Sequence, residues 1–186
     1  MGWLFGWSTK EALVKHLTDS QNYSTNGRIR VLDHALVGNN LWLLMQHQPI
    51  ETKFIVLARL KHSRGAGPVG HDWGYKDMDE STHPYYYDCP ERLLKQSTCD
   101  KPSSVEWRAQ CRKWRAERNA RLSSLKKLKP GDTFYWNGKP LKFVDPARFY
   151  LRPHQHKNYV LGEDSNGKVH GYPKKSVSVT PPQSNQ

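Results

Sequence analysis

Within seven residues of the segment GYKDMDESTHPYYYDCP (74–90), Asp77, Asp79, Glu80 and His83 supply three carboxylates and an imidazole. Mg²⁺ or Mn²⁺ catalysis of phosphoryl chemistry uses such donors, because the metal clamps the oxygens of an in-line displacement. Alternate residues of an extended strand share a face, so Asp77 and Asp79 would point together. These acids have a second use, capping turns or pairing with the basic residues, Arg118 and Arg121 included, and structural ion-pair networks mimic active sites. No established nuclease motif surrounds them. Three clustered carboxylates need a cation among them, and an arginine or lysine supplies one as well as a metal does.

Other chemistries find less support. A zinc site from His71, His83, Cys89 and Cys99 would have spacings that match no standard finger or ribbon. Cys89 lacks an identifiable base and orienting group, so it reads as a small buried residue ahead of Pro90. His154 and His156 would ligate a metal only from one strand face, and they read as loop histidines. GAGPVG (65–70) has the spacing of a dinucleotide loop, but Pro68 opposes a turn that cradles phosphate and enters a helix. Of Tyr85, Tyr86 and Tyr87, alternation places one inward and its neighbours outward, where a tyrosine beside cations can stack on a base.

The chain of 186 residues has a formal net charge of +12 and a pI near 9.7, which suits a polyanionic partner. The charge is uneven. Residues 1–100 balance 11 Lys/Arg with 11 Asp/Glu, whereas residues 101–129 set 10 Lys/Arg against Glu106 and Glu117. The latter segment predicts a helix over 103–128, with Pro102 outside, a Ser103/Glu106 capping box, and Pro130-Gly131 as the stop. Trp107, Cys111, Trp114, Leu122 and Leu125 share one stripe of it, with Arg118 and Arg121 inside that stripe. Arg108, Arg112, Arg115 and Lys126 form an adjacent row that could track phosphates along a nucleic-acid backbone, or be a solvated face.

Positioning these residues requires an α+β fold. Ser8 and Glu11 predict a capped short helix burying Leu13 and Leu17. Residues 28–37, 41–48 and 53–61 predict a three-strand antiparallel meander. A long irregular stretch, roughly 62–90, and a turn or two of helix at PERLLKQS follow. From Gly131 the pattern changes to short strands: a hairpin around Asn137-Gly138, then RFYL, NYVLG, KVHGYP and SVSV, with EDSNG as a turn. A small SH3-like β-barrel is the expectation. The domains expected are 1–129 (α+β), 130–180 (barrel) and 181–186 (a flexible tail). Three cysteines without a CxxC pair, no secretion signal and no long apolar run predict a cytoplasmic protein.

The MGW start, the GYKDMDE block followed by YDCP, and the Trp/Arg-rich helix resemble a family of uncharacterised bacterial prophage and mobile-element proteins, a domain of unknown function. The resemblance covers most of the chain and implies a setting, bacterial cytoplasm and mobile DNA, without a mechanism or site residues. The expected function is a nucleic-acid-binding accessory protein of a mobile element. The alternatives are an inhibitor of a host defence or regulatory protein, and a phosphodiesterase that would need Mg²⁺ or Mn²⁺. The first two need no cofactor.

Overall fold

A computed structural model describes residues 4–19, 28–63, 72–149 and 152–181. The chain forms two compact units, Met1–Arg115 and Ala116–Gln186. Their division falls inside the long helix rather than at 129/130.

Unit 1 is built on a five-stranded antiparallel sheet of order β1-β5-β4-β3-β2. Its strands are β1 (Leu4–Trp7), β2 (Ile29–Val37), β3 (Asn40–His47), β4 (Lys53–Ser63) and β5 (Asp72–Asp79). The middle three are the meander expected from sequence. Strand β5 corrects the expectation of an irregular stretch over 62–90, since β4 continues to Ser63 and β5 pairs with it from Asp72↔Ser63 to Asp79↔Val56. Strand β1, on the far side of β5, is not among the expected elements. The strand DWGYKDMD has no β-branched residue and two aspartates in its last three positions, so its local sequence does not predict a strand.

Both sheet faces are covered, which explains why β3 and β4 read as unbroken apolar runs. On one face, Leu41, Leu43, Met45, Val56, Ala58 and Leu60 pack with Leu13 and Leu17 of helix α1 (Lys10–Asp19). Thr9 caps α1, its Oγ1 accepting from the Ala12 N–H at 3.1 Å, one residue beyond the expected Ser8. On the other face, Trp42, Leu44, Ile55 and Leu57 pack with Leu93 and Leu94 of α2 (Glu91–Leu94) and with Trp107 and Cys111 of α3 (Pro102–Lys126). A bulge at Leu32 switches β2 between these faces: Val31 stands opposite Met45, whereas Ala35 stands opposite Trp42.

Helix α3 starts with Pro102 in its first turn, where a missing N–H leaves no bond unmade. Glu106, expected in a capping box, lies instead beside His83 at 3.4 Å.

Unit 2 carries a second antiparallel sheet, of order β10-β6-β7-β8-β9. Its strands are β6 (Thr133–Trp136), β7 (Lys139–Phe143), β8 (Tyr159–Glu163), β9 (Val169–Pro173) and β10 (Val177–Ser178). Asn137 and Gly138 have φ of 49° and 80°, as a tight two-residue hairpin requires. In segment RFYL, expected to be a strand, Arg148 and Phe149 are not in one. Pro146–Arg148 is a one-turn 3₁₀ helix started by the Asp145 carboxylate, and Tyr150 and Leu151 lie outside the described residues.

The segment whose histidines read as loop residues, with Asn158 of the expected strand NYVLG, forms the short helix α4 (Pro153–Asn158). The side chains of His154 and His156 lie outside the described ones. The same holds for His71, GAGPVG, the MGW start and residues 182–186 of the expected tail.

Leu125, near the end of α3, joins Phe134, Leu141, Val160, Tyr172 and Val177 in the core of this unit. Gly162 makes that packing possible, because a Cβ there would stand 2.5 Å from Cζ of the fully buried Phe134 and 3.1 Å from the Tyr172 ring. Gly162→Ala should therefore destabilise unit 2 by about 1–3 kcal/mol through overpacking. Native-state hydrogen exchange at the backbone amides of Phe134 and Val160 across a urea series would measure it.

Candidate nucleic-acid interface

The acidic block separates into individual partnerships. Glu80, just beyond β5, has a side chain with no exposed surface. One carboxylate oxygen accepts from the Ile55 N–H (3.1 Å) and Ser97 Oγ (2.6 Å), and the other accepts from Arg108 Nη1 (2.9 Å). Arg108 also donates to Ser97 Oγ (2.9 Å) and to the Cys99 carbonyl (2.7 Å). Desolvation outweighs these bonds and raises the Glu80 carboxyl above its ordinary range. The network joins β4, β5, the 97–99 segment and α3.

Asp77 and Asp79 share a face of β5, opposite Ala58 and Val56 respectively. Asp79 caps the 3₁₀ turn Glu80–Thr82, accepting from the Ser81 N–H at 2.6 Å and from Ser81 Oγ. His83 lies against Glu106, and Asp88 accepts both of its bonds from the Asn40 amide at 3.1 Å. Asp79, Glu80 and His83 thus face three different partners. Among the described residues, no three His, Cys, Asp or Glu side chains stand where one Mg²⁺ or Mn²⁺ could join them.

The remaining chemistry of the block is also structural. Burial raises the Cys89 thiol far above the thiolate range and pushes Cys111 up to about 12, so neither is a nucleophile near neutrality. Tyr86 and Tyr87 pack on the core, and the Arg59 guanidinium stacks 4.5 Å from the Tyr86 ring centroid. Tyr85 stays exposed, so two of the three tyrosines face inward where alternation predicts one.

The cationic row on α3 divides in the same way. Arg108 is consumed by Glu80. Arg112 bonds Glu91 at 3.1 Å, and Arg115 bonds both Glu91 and the Cys89 carbonyl. Against a burial cost, these two arginines lower the Glu91 carboxyl below its ordinary range. Lys126 alone of the four belongs to unit 2, where it is exposed.

Unit 2 holds 13 Lys/Arg against 5 Asp/Glu, which is +8 of the chain's +12. A cleft of about 640 Å³ collects five of these cations: Arg118 and Arg121 from α3, Lys157 from α4, and Lys174 and Lys175 after β9. Leu122, Asn158, Tyr159 and Pro173 complete the lining, without a carboxylate. The Arg121 Nε is buried and has no hydrogen-bond partner. Five like charges around one concavity focus a positive field into it.

Arg118 and Arg121 were visible in the sequence as cations inside an apolar stripe. Lys157, Lys174, Lys175 and Tyr159 carried no signal beyond the basic composition. No protein-family model matches the chain, and neither a curated protein nor a solved structure does. No helix among the described residues is long and apolar enough to cross a membrane.

Proposed function

We propose that this protein binds nucleic acid through the cationic cleft of unit 2. The observation that carries the reading is five cations around a cleft without a carboxylate. Phosphate oxygens would meet the cations that line the cleft with charge-assisted bonds. Lys126, on the adjoining surface, extends the same field, whereas Arg108, Arg112 and Arg115 act within the fold.

The strand order β10-β6-β7-β8-β9, with the one-turn 3₁₀ helix Lys174–Ser176 just before the last strand, supports an SH3-like barrel for this unit. The resemblance of the GYKDMDE block supports a setting in the bacterial cytoplasm, as an accessory protein of a mobile element.

Binding of labelled oligonucleotides, measured by fluorescence anisotropy across a salt series, tests the proposal. Neutralising three to five phosphates predicts that log affinity falls with log salt at a slope of about −2.7 to −4.5 on duplex DNA and about −2.1 to −3.5 on a single strand. Absent or salt-insensitive binding to both DNA and RNA would overturn it. A second reading, a module that inhibits an acidic host defence or regulatory protein, would then stand on unit 1. There the edge strand β2 exposes Leu32 and Leu36.

A further inference from the structure

Beside the cationic cleft, unit 2 has a second concavity of about 700 Å³ that shares Leu122, Lys157, Tyr159 and Lys174 with it. Its character differs. Leu122, Leu125, Phe143 and Val160 contribute an apolar lining, together with the cations Lys126, Lys157 and Lys174. Tyr159, the first residue of β8, borders both concavities and keeps 39% of its surface exposed. Gly171 lies near the ring: a Cβ there would stand 3.5 Å from it, an ordinary packing distance.

An occupant of both concavities needs closely spaced anionic groups with a flat, largely apolar group attached beside them. A nucleotide in a single strand has that chemistry, because its base is free to leave the backbone and lie on an aromatic face. A duplex offers the same phosphates but keeps its bases stacked and paired inside. Resting on the proposed nucleic-acid function, we infer that unit 2 selects single strands, with phosphates on Lys157 and Lys174 and a base stacked on Tyr159 over the apolar lining.

The full-length protein would be titrated with three labelled probes at one salt concentration: a short oligothymidylate, an abasic oligomer of equal length, and a blunt duplex. The oligothymidylate should bind about 5- to 100-fold more tightly than the abasic strand, the range that one stacked base supplies. Tyr159→Leu should abolish that difference, and Tyr159→Phe should preserve it. Equal affinity for all three probes would overturn the inference and leave the proposed function standing. Failure of every probe to bind would overturn both. The comparison of probes uses the unaltered protein, so it does not depend on how the variants fold.

Discussion

Arg108→Met is expected to destabilise unit 1 by about 3–5 kcal/mol, the range for removing one partner of a buried ion pair. The side chain of Glu80 has no exposed surface, so its charge would remain in the interior with only Ser97 and the Ile55 amide as donors. The Cys99 carbonyl would lose its guanidinium donor as well. The double variant Glu80→Gln/Arg108→Met should recover much of the loss, because a neutral amide has no charge to desolvate.

A pH series separates this cause from lost packing. Burial already holds the Glu80 carboxyl above its ordinary value of 4.5, so the folded state binds that proton more tightly than the unfolded chain does. Stability linked to such a group is fully present below the unfolded value and is lost as pH rises through the folded one. Without Arg108 the folded value climbs further, and the deficit of Arg108→Met relative to wild type should shrink between about pH 7.5 and about pH 5. The double variant should show no such change. Denaturant midpoints for the four proteins at both pH values would decide, and a pH-independent deficit in Arg108→Met would sink the explanation.

The second large effect concerns binding. Replacing Lys157, Lys174 and Lys175 together with glutamine should flatten the salt slope by about two to three units, about 0.7 per phosphate no longer neutralised on a single strand and about 0.9 on a duplex. Referred to about 1 M salt, where counterion release contributes little, that change weakens binding by two to three orders of magnitude at about 0.1 M. Arg112→Gln is the matched control. It removes a cation engaged by Glu91, so the slope should stay unchanged. Lys157 and Lys175 are exposed and Lys174 is half-buried, and none belongs to the core of unit 2, so thermal unfolding of the triple variant should remain close to wild type. If Arg112→Gln flattened the slope and the triple variant did not, the cleft would be the wrong surface.

Elements whose conformation follows from neighbouring residues were legible in the amino-acid order. The Asn137-Gly138 hairpin needs two positive φ angles, which those residues adopt at little cost. Helix α3 announces itself through periodic apolar residues between Pro102 and Pro130-Gly131, and the runs of β3 and β4 through continuous apolarity. The sequence also established that positive charge is concentrated after residue 100 and that acids are concentrated in the 74–90 block.

Tertiary structure decided the rest. Strand β5 forms because β4 offers a pairing edge, a condition absent from DWGYKDMD itself. Charge type implied that Glu80 would meet a cation, but the sequence pointed to Arg118 and Arg121 as partners. The sheet brings it to Arg108, 28 residues away. The cleft of unit 2 gathers its cations from α3, α4 and the segment after β9. Coulombic and hydrogen-bonding interactions act over ångströms, and separation along the chain does not set that distance. A basic composition could therefore suggest a polyanionic partner, while only the fold could show which arginines bond internal carboxylates and which residues line the cleft of unit 2.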